Sequence, residues 1–359
     1  MKDQHLIAQA AANIQTISGA DVDKLKVLQF QESSVFTPLL NDLMWGYQNP
    51  MGSFLAEKLA PNYGVVDTVG TFRKMDEDSF FNVPDTQMSE RSTPKEFAIG
   101  DSTDTFRLAG HGLRVFLPDV KRQTAISQYG SIEKWRAMHA LAMASRLKLQ
   151  HEYELITAVT TSGNYASGNY TTKSTTNNWL TAPNTSTPID DALAAHQQAA
   201  KYGIMYNYVL ASSTVHFALC KHPQIISTMS GGATKGKTTQ AIVDNADIAR
   251  ALRVPEANYL PSLVAYNSTP SASSATLAGL MGDYIVFMYV DPAAGGNELI
   301  PTFMKNFVRS QTVAVSSGFK TKTVREEQAG GEGGEWLLGW WFKQVKIIAN
   351  RLGYLITFA

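Results

Sequence analysis

Charged residues are scarce in this sequence. They make up 17% of the chain, against roughly 25% in ordinary soluble domains. A free monomer keeps charge on its surface for solubility, so the shortage favours a chain whose surface is largely covered by neighbouring subunits. A large enzyme with a big core is the alternative. Lys and Arg together number 31, as do Asp and Glu. This balance argues against a dedicated nucleic-acid-binding protein, which would carry a basic patch.

Cysteine and long apolar runs are also nearly absent. The single cysteine, Cys220, excludes an intrachain disulfide framework and a cysteine-based zinc site, and it favours folding in a reducing compartment. No window approaches the ~20 apolar residues that span a bilayer. Residues 1–15 contain no apolar run suited to a signal peptide. We therefore expect no membrane segment, no metal site and no cofactor.

The length of the chain favours two lobes, because 359 residues are many for one compact domain. Residues 1–60 show patchy helical character without a core of their own, since Gly46, Pro50 and Gly52 interrupt the scattered apolar positions. Unanchored terminal segments are usually disordered. This segment is therefore predicted either to lie as an arm across a neighbouring subunit or to pack on its own domain.

Residues 65–117 have the pattern of a long, charge-dense hairpin. One extended run begins at Val65, and a second one covers residues 105–117. Between Val65 and Gly110 lie five Lys/Arg and nine Asp/Glu. Loops of this length inside a compact domain are uncommon unless they are functional. We interpret the hairpin as a contact between subunits, with a solvated surface loop as the alternative. The candidate contact residues are Arg73, Lys74, Asp76, Glu77, Asp78, Arg91 and Lys95.

The strongest helix prediction covers residues 131–159. Ser131 is a favourable N-cap, and the segment after it contains neither Gly nor Pro. About 27 residues give a rod of roughly 40 Å, more than twice the mean helix length. Apolar side chains recur mostly at spacings of three, four or seven and predict one buried stripe. Its members are Ile132, Trp135, Met138, Ala142, Leu149, Tyr153 and Ile156.

The later part of the chain alternates helices and strands. Residues 160–188 are rich in Ser, Thr, Asn and Gly, and we predict an irregular connector there. Helices are expected over residues 190–202 and 214–221, with a strand over residues 206–210. Residues 336–358 are apolar and aromatic with interleaved lysines. This pattern favours a terminal pair of sheet strands over a surface that stacks single-stranded nucleic acid.

Residues 246–290 carry the most specific pattern. A short helix (246–252) precedes an apolar strand that ends in Tyr266 and Asn267. A Ser/Thr/Pro loop follows, and then a Gly-Asp-led apolar strand over residues 281–290. This order resembles the axial domain of tailed-phage major capsid proteins of the HK97-like fold, and the resemblance extends over roughly residues 60–359.

The resemblance implies an α+β chain with the parts of the HK97-like capsid fold. These would be an N-terminal arm (1–60), an extended E-loop hairpin (65–117), a peripheral domain (118–189 and 306–359) with a long spine helix (131–159), and an axial domain (190–305). In this family the E-loop lies on the adjacent subunit, so its charges would make contacts that fix the register between subunits.

The function implied by the resemblance is architectural, without enzymatic activity. The chain would be a major capsid protein whose pentamers and hexamers form an icosahedral shell around double-stranded DNA, without sequence-specific binding. It would reside in the virion after assembly in the host cytoplasm. The segment before the hairpin looks too short for a fused scaffold, so a separate scaffolding protein is expected beside a portal protein. The same fold serves encapsulin compartments, which hold cargo enzymes, and such a shell is the alternative.

A rival motif suggests a nucleotide-binding enzyme. Residues 231–238 match the phosphate-binding loop G-x-x-x-x-G-K-[ST], with Gly231 at its start and Lys237 and Thr238 at its end. Asp291 follows an apolar run and could bind magnesium. A phosphate-binding loop must join a buried strand to a helix, yet residues 223–229 have the pattern of a helix end and a short apolar turn. We therefore expect a coincidental match in a basic loop, and keep a P-loop NTPase as the alternative of another class.

Other catalytic patterns are incomplete. His151 and Glu152 lack the second histidine of a zincin helix, because Leu155 stands in its place. Ser131 begins an S-x-x-K match, but no companion motif accompanies it. His216, Cys220 and His222 are close in sequence, and we interpret them as packing residues rather than metal ligands.

Overall fold

A computed structural model describes residues 54–75, 87, 101–229, 243–269, 276–297, 300–310, 319–327 and 333–358. The helices within these ranges are α1 (Ala56–Leu59), α2 (Arg122–Tyr129), α3 (Ile132–Thr160), α4 (Pro188–Ala200), α5 (Ser213–Leu219), α6 (Pro223–Met229) and α7 (Asn245–Ala251). The strands are β1 (Asn62–Val65), β2 (Val69–Met75), β3 (Asp101–Arg107), β4 (Ala109–Pro118), β5 (Tyr170–Lys173), β6 (Tyr208–Ser212), β7 (Tyr259–Ser262), β8 (Ala265–Asn267), β9 (Leu277–Gly279), β10 (Tyr284–Met288), β11 (Met304–Arg309), β12 (Lys320–Glu326), β13 (Gly334–Ile347) and β14 (Gly353–Phe358).

Helix α3 confirms the predicted long helix and its cap. The Ser131 hydroxyl accepts a hydrogen bond from the Lys134 amide at 3.2 Å. The helix has 29 residues, which gives a length of roughly 43 Å. The predicted apolar stripe is wrong, however, since Met138 is 47% exposed and Tyr153 46%. The face that packs inward is a different one, and its two alanines let neighbouring elements approach the helix closely. Its buried members are Ala137, Ala140, Met143, Leu147, His151, Glu152, Leu155, Ile156 and Val159.

The first sheet is organised around β13. Along one edge β13 pairs with β4, and along the other it pairs with β12 and then β11, which in turn pairs with β1. Helix α3 packs on one face, where Met143 meets Leu337 and Trp341. Gly339 permits this approach, because a Cβ atom there would stand 2.8 Å from Met143 Cε. Without a side chain at this position, the helix and the sheet lie in direct contact.

The second sheet has the strand order β5-β14-β10-β6-β7. Its central strand β10 confirms the predicted apolar strand, and Ile285, Val286, Phe287 and Met288 are all 0% exposed. Helices α4, α5 and α7 contribute Ala195, Val215, Ile248 and other buried side chains to the same core. A second core cluster joins the two sheets, since Met304 of β11 lies in it with Val286 and Leu355.

Two regions differ from the sequence-based expectation. The residues after Thr160 are not an irregular connector throughout. They include β5, and Trp179 is 1% exposed in the core that the second sheet forms with its helices. The two carboxyl-terminal strands do not form a pair. β13 belongs to the first sheet and β14 to the second, because each finds its partners among distant strands. The predicted peripheral and axial domains stay a prediction, although β5 and β14 share a sheet with strands from the predicted axial region.

The predicted hairpin divides at Leu108. Strands β2 and β3 pair with each other, Val69 opposite Arg107 and Met75 opposite Asp101. β4 leaves this pair and runs along β13 from Pro118 opposite Gly334 to Ala109 opposite Lys343. Leu108 is 7% exposed at the junction, and its burial separates the two strands. The expected continuous run over residues 105–117 is therefore two strands with different partners.

Candidate functional site

The base of the β2–β3 hairpin packs on its own subunit. Phe106 stacks on Phe307 with ring centroids 5.1 Å apart, and Phe72 lies 5.0 Å from the same ring. Phe72 and Phe106 are each 5% exposed. Gly70 lies against Phe106, because a Cβ atom there would stand 2.7 Å from Phe106 Cζ. The base of the hairpin is therefore buried within its own subunit and is not a solvated loop.

Polar contacts also set the direction in which the hairpin runs along β13. The Arg107 amide donates to Gln344 Oε1 at 2.8 Å. Closer to the tip, Lys346 Nζ donates to Asp104 Oδ1 at 2.7 Å and to the Thr105 carbonyl. From its base towards its tip, the hairpin therefore follows β13 from Gln344 towards Lys346.

Two of the candidate contact residues lie on a strand that the structure describes. Arg73 and Lys74 belong to β2, opposite Thr103 and Ser102, and the Arg73 side chain is exposed. The other candidates, Asp76, Glu77, Asp78, Arg91 and Lys95, lie outside the described residues. The structure thus places two members of the set on one strand, and the contact role of all seven stays a prediction.

A buried lysine connects α3 to β13. Lys343 is 0% exposed, and its Nζ donates to His151 Nδ1 at 2.9 Å and to Glu154 Oε2 at 2.5 Å. Desolvation lowers the pKa of Lys343, against the opposing effect of Glu154. Desolvation and the lysine charge hold the pKa of His151 well below its usual value, so His151 is neutral and its Nδ1 can accept. His111 of β4 reaches the other Glu154 oxygen at 3.2 Å. The cluster connects three elements of the subunit.

Glu152 holds the beginning of the described chain against α3. It is 0% exposed, and its Oε2 accepts the amides of Leu55 and Ala56 at 2.9 and 2.8 Å. Its Oε1 is buried without a hydrogen-bond partner. Burial raises the pKa of Glu152 to about 7, although the two backbone bonds act in the opposite direction. The carboxyl group therefore ties the start of α1 to α3.

The histidines of α5 and α6 serve packing. His222 Nδ1 accepts the Gln224 amide at 3.2 Å, so the protonated Nε2 donates to Ser186 at 2.9 Å. This tautomer cannot take a proton from the serine, which excludes a Ser-His nucleophile in this arrangement. His216 Nδ1 lies 3.0 Å from the Tyr259 hydroxyl. In the described part of the chain, no three His, Cys, Asp or Glu side chains come together to hold a metal ion.

The phosphate-binding-loop match lies outside the described residues, but its flanks do not. The element before it is helix α6, whereas a phosphate-binding loop follows a strand. Asp291, the candidate magnesium ligand, instead accepts the Ala293 amide at 2.9 Å and caps the turn that follows. None of the described helices has both the length and the apolar character needed to cross a bilayer.

The sequence does not predict the buried charges of α3 and β13. One signal exists for Glu152: it stands three residues after Leu149 and three before Leu155, so it shares their helix face. Lys343 has no comparable signal. Alternation along β13 cannot tell which face α3 covers, because both faces carry large side chains.

Comparisons with known proteins identify the class of this fold. No family model matches the chain. It is 24% identical over 260 residues to the major capsid protein of Pseudomonas phage JBD67. The aligned region covers 72% of this chain and 78% of that protein. A phage-related protein from Bordetella bronchiseptica RB50 has a TM-score of 0.66 at 16% identity, over 91% of this chain and 98% of that one. The capsid structure of cyanophage P-SCSP1u has a TM-score of 0.55 at 12% identity, over 93% and 94%. The fold is HK97-like, as the sequence resemblance implied.

Proposed function

We propose that this chain is a phage major capsid protein, whose copies self-assemble into a closed icosahedral shell around double-stranded DNA. One observation carries the proposal: an HK97-like fold spans more than nine-tenths of the chain. The 24% identity to a phage major capsid protein supports the same conclusion from sequence. The low charge content of 17% fits a surface that neighbouring subunits cover.

The proposed mechanism is assembly rather than catalysis. The axial region (190–305) meets its copies around five- and six-fold axes, and the arm (1–60) and the hairpin overlap neighbouring subunits. Arg73, Lys74, Asp76, Glu77, Asp78, Arg91 and Lys95 would then contact adjacent copies. Complementary charge at such contacts fixes orientation and register more than it adds affinity. The described polar clusters lie mainly between elements of the same subunit, where they stabilise it.

The proposed partners follow from the same function. Copies of this chain form pentamers and hexamers, with a separate scaffolding protein and a portal protein during assembly. The packaged DNA is enclosed without sequence-specific binding, in agreement with a net charge of zero. Assembly takes place in the host cytoplasm, and the mature location is the virion.

Negative-stain microscopy and sedimentation of the purified chain, with its scaffolding protein supplied, test this proposal. We expect closed particles built from many copies. A monomer or dimer under all assembly conditions would contradict it. Particles recovered from the phage-infected host should contain double-stranded DNA, whereas particles filled with one cargo protein would identify an encapsulin-type compartment instead.

A further inference from the structure

Strand β4 lies at an edge of the first sheet. All ten of its residues pair with β13, from Pro118 opposite Gly334 to Ala109 opposite Lys343. Among the described residues, no strand pairs with the other side of β4. Such an edge presents backbone N–H and C=O groups that no neighbouring strand satisfies, and these groups form a template on which a further strand can pair.

The other edges of the two large sheets are short or charged. Strands β1, β5 and β7 have four residues each, and β7 contains Pro261, which has no N–H to donate. Strand β12 has seven residues, and four of them are charged: Lys320, Lys322, Arg325 and Glu326. Short length, proline and charge are the features that keep an edge strand from pairing with another chain.

Strand β4 has little of this protection. Before its last residue it contains no proline and a single arginine, and the Arg114 guanidinium lies over the Trp336 ring of β13, 4.5 Å from its centroid. His111 is held by Glu154 of α3 at 3.2 Å. Both ionisable side chains therefore contact their own subunit, and at the middle of the strand the apolar Leu113 is 38% exposed. A long edge of this composition is an aggregation hazard in a free monomer, and pairing with another strand removes the hazard.

The residue order of β4 is self-complementary about Leu113. When two antiparallel strands are related by a two-fold axis, directly opposed residues lie on the same side of the sheet. With Leu113 opposite its own copy, Arg114 faces Gly112 and Phe116 faces Gly110. The bulky residues thus face glycines, and no like charges lie directly opposite each other. A strand of unrelated sequence would satisfy the backbone equally well, so this order is the feature that favours a second copy as the partner.

We propose that β4 pairs with β4 of a second copy of this chain, in antiparallel orientation about a two-fold axis at Leu113. The inference rests on the proposed function, in which copies lie side by side, and it adds a two-fold contact to those around the five- and six-fold axes. The first sheets of two subunits form one continuous sheet. Residues 109–117 and their copies form about nine backbone hydrogen bonds, and the same surface serves on both subunits.

Cysteine crosslinking of the full chain tests the contact and its register. In a Cys220→Ser background, Leu113→Cys places two thiols opposite each other with Cα atoms about 5 Å apart, within the range of a disulfide. We expect covalent dimers after mild oxidation of the unassembled subunit and of assembled particles.

Two single-cysteine variants are the controls. Val115→Cys tests the register, because its copies lie about 14 Å apart in the proposed pairing. Val324→Cys is the matched control on the charged edge strand β12, since Val324 is 39% exposed, as Leu113 nearly is. Neither variant should form dimers under the same conditions.

Charge placed at the centre of the edge tests the same contact without a covalent bond. Leu113→Lys puts two ammonium groups opposite each other and should weaken association of the subunits by roughly tenfold or more in analytical ultracentrifugation. The melting temperature of the isolated subunit should stay nearly unchanged, because the side chain is already partly exposed. Mixing Leu113→Lys copies with Leu113→Glu copies should restore association, and Val324→Lys should have no effect.

The proposal is overturned if Leu113→Cys yields no dimers in either sample, or if the two control cysteines crosslink equally well. It is also overturned if Leu113→Cys is found bound to a different protein, which would then be the partner of the edge. Association of the mixed variants no better than that of Leu113→Lys alone would exclude the two-fold register. If the unmodified chain forms no particles, the proposed function fails separately, and crosslinking of the unassembled subunit still decides the contact.

Discussion

At the scale of single residues, Glu152 is the most unusual group. It is a carboxylate at 0% exposure, and its described hydrogen bonds come from two backbone amides rather than from a cation. A buried carboxylate without a cation has a higher pKa because the charged form is poorly solvated. The pKa of Glu152, raised from 4.5 to about 7, means that the folded subunit binds this proton more tightly than the unfolded chain.

The stability of the isolated subunit should therefore depend on pH through Glu152. The stabilisation from its proton is fully present below about pH 4.5 and is lost as the pH rises to about 7. Glu152→Gln keeps a carbonyl that can accept the Leu55 and Ala56 amides. We expect equal melting temperatures near pH 4 and a more stable variant at pH 8, by up to about 3 kcal/mol.

The control for this prediction is Glu256→Gln, because Glu256 is exposed and lies far from Glu152 in the chain. That variant should show only a small change across the same pH range. Identical pH dependence of the Glu152→Gln variant and the unmodified subunit in thermal melts would contradict the assigned role of Glu152.

At the scale of elements, the β2–β3 hairpin has two physically different parts. Its base is aromatic and packs on Phe307. Most of its charged residues lie in the sequence between Arg73 and Asp104. Burial of an aromatic ring contributes several kcal/mol, whereas an exposed ion pair contributes about 0–1 kcal/mol. Stability of the subunit and contact between subunits should therefore separate within one hairpin.

Two variants separate these roles. Phe106→Ala should lower the free energy of unfolding by about 3 kcal/mol in urea titrations, since the ring is almost fully buried. The combination of Arg73→Glu, Lys74→Glu and Arg91→Glu should leave the melting temperature nearly unchanged and block or misdirect assembly. The idea fails if the triple variant unfolds the isolated subunit while its folded fraction still assembles normally.

The phosphate-binding-loop match also belongs to the scale of elements. Helix α6 stands where such a loop needs a strand. Lys237→Ala should therefore leave assembly unchanged and alter no nucleotide binding. Equilibrium dialysis with ATP and magnesium checks this. Saturable, magnesium-dependent binding that Lys237→Ala abolishes would favour the NTPase alternative.

At the scale of the whole molecule, the two sheets share a core. Phe303 is 0% exposed, stacks on Tyr165 at 5.3 Å, and closely approaches Gly353 at the start of β14. Its amide donates to the Tyr289 carbonyl at 2.8 Å, and its carbonyl accepts the Ile348 amide at 2.9 Å. One residue therefore contacts segments from both sheets.

This shared core predicts cooperative unfolding of the unassembled subunit. Hydrogen exchange followed by mass spectrometry should show β10 and β13 losing protection over the same urea range, because the cluster that joins the two sheets is lost when either sheet unfolds. Phe303→Ala should weaken both strands together. Loss of β13 at clearly lower urea than β10 would instead indicate independently folding peripheral and axial domains.

Local physics explains what could be predicted from the sequence. Ser131 and the uninterrupted segment after it determine the long helix, because capping and propensity act within a few residues. The charge-free run around Val286 determines a buried strand, and residues 246–252 a short helix, which the structure has as Asn245–Ala251. The order of such elements also carries the resemblance to the HK97-like fold.

Only the tertiary structure decided which surfaces these elements share. The buried face of α3 depends on Gly339 and on the sheet beneath the helix, and the helical period of the sequence does not reveal either. β13 and β14 are neighbours in sequence but belong to different sheets, because strand pairing is set by long-range partners rather than by local propensity. The environments of Lys343 and Glu152 follow from the same assembly of distant segments. A charged residue of the sequence becomes part of a buried network only when the fold brings its partners next to it.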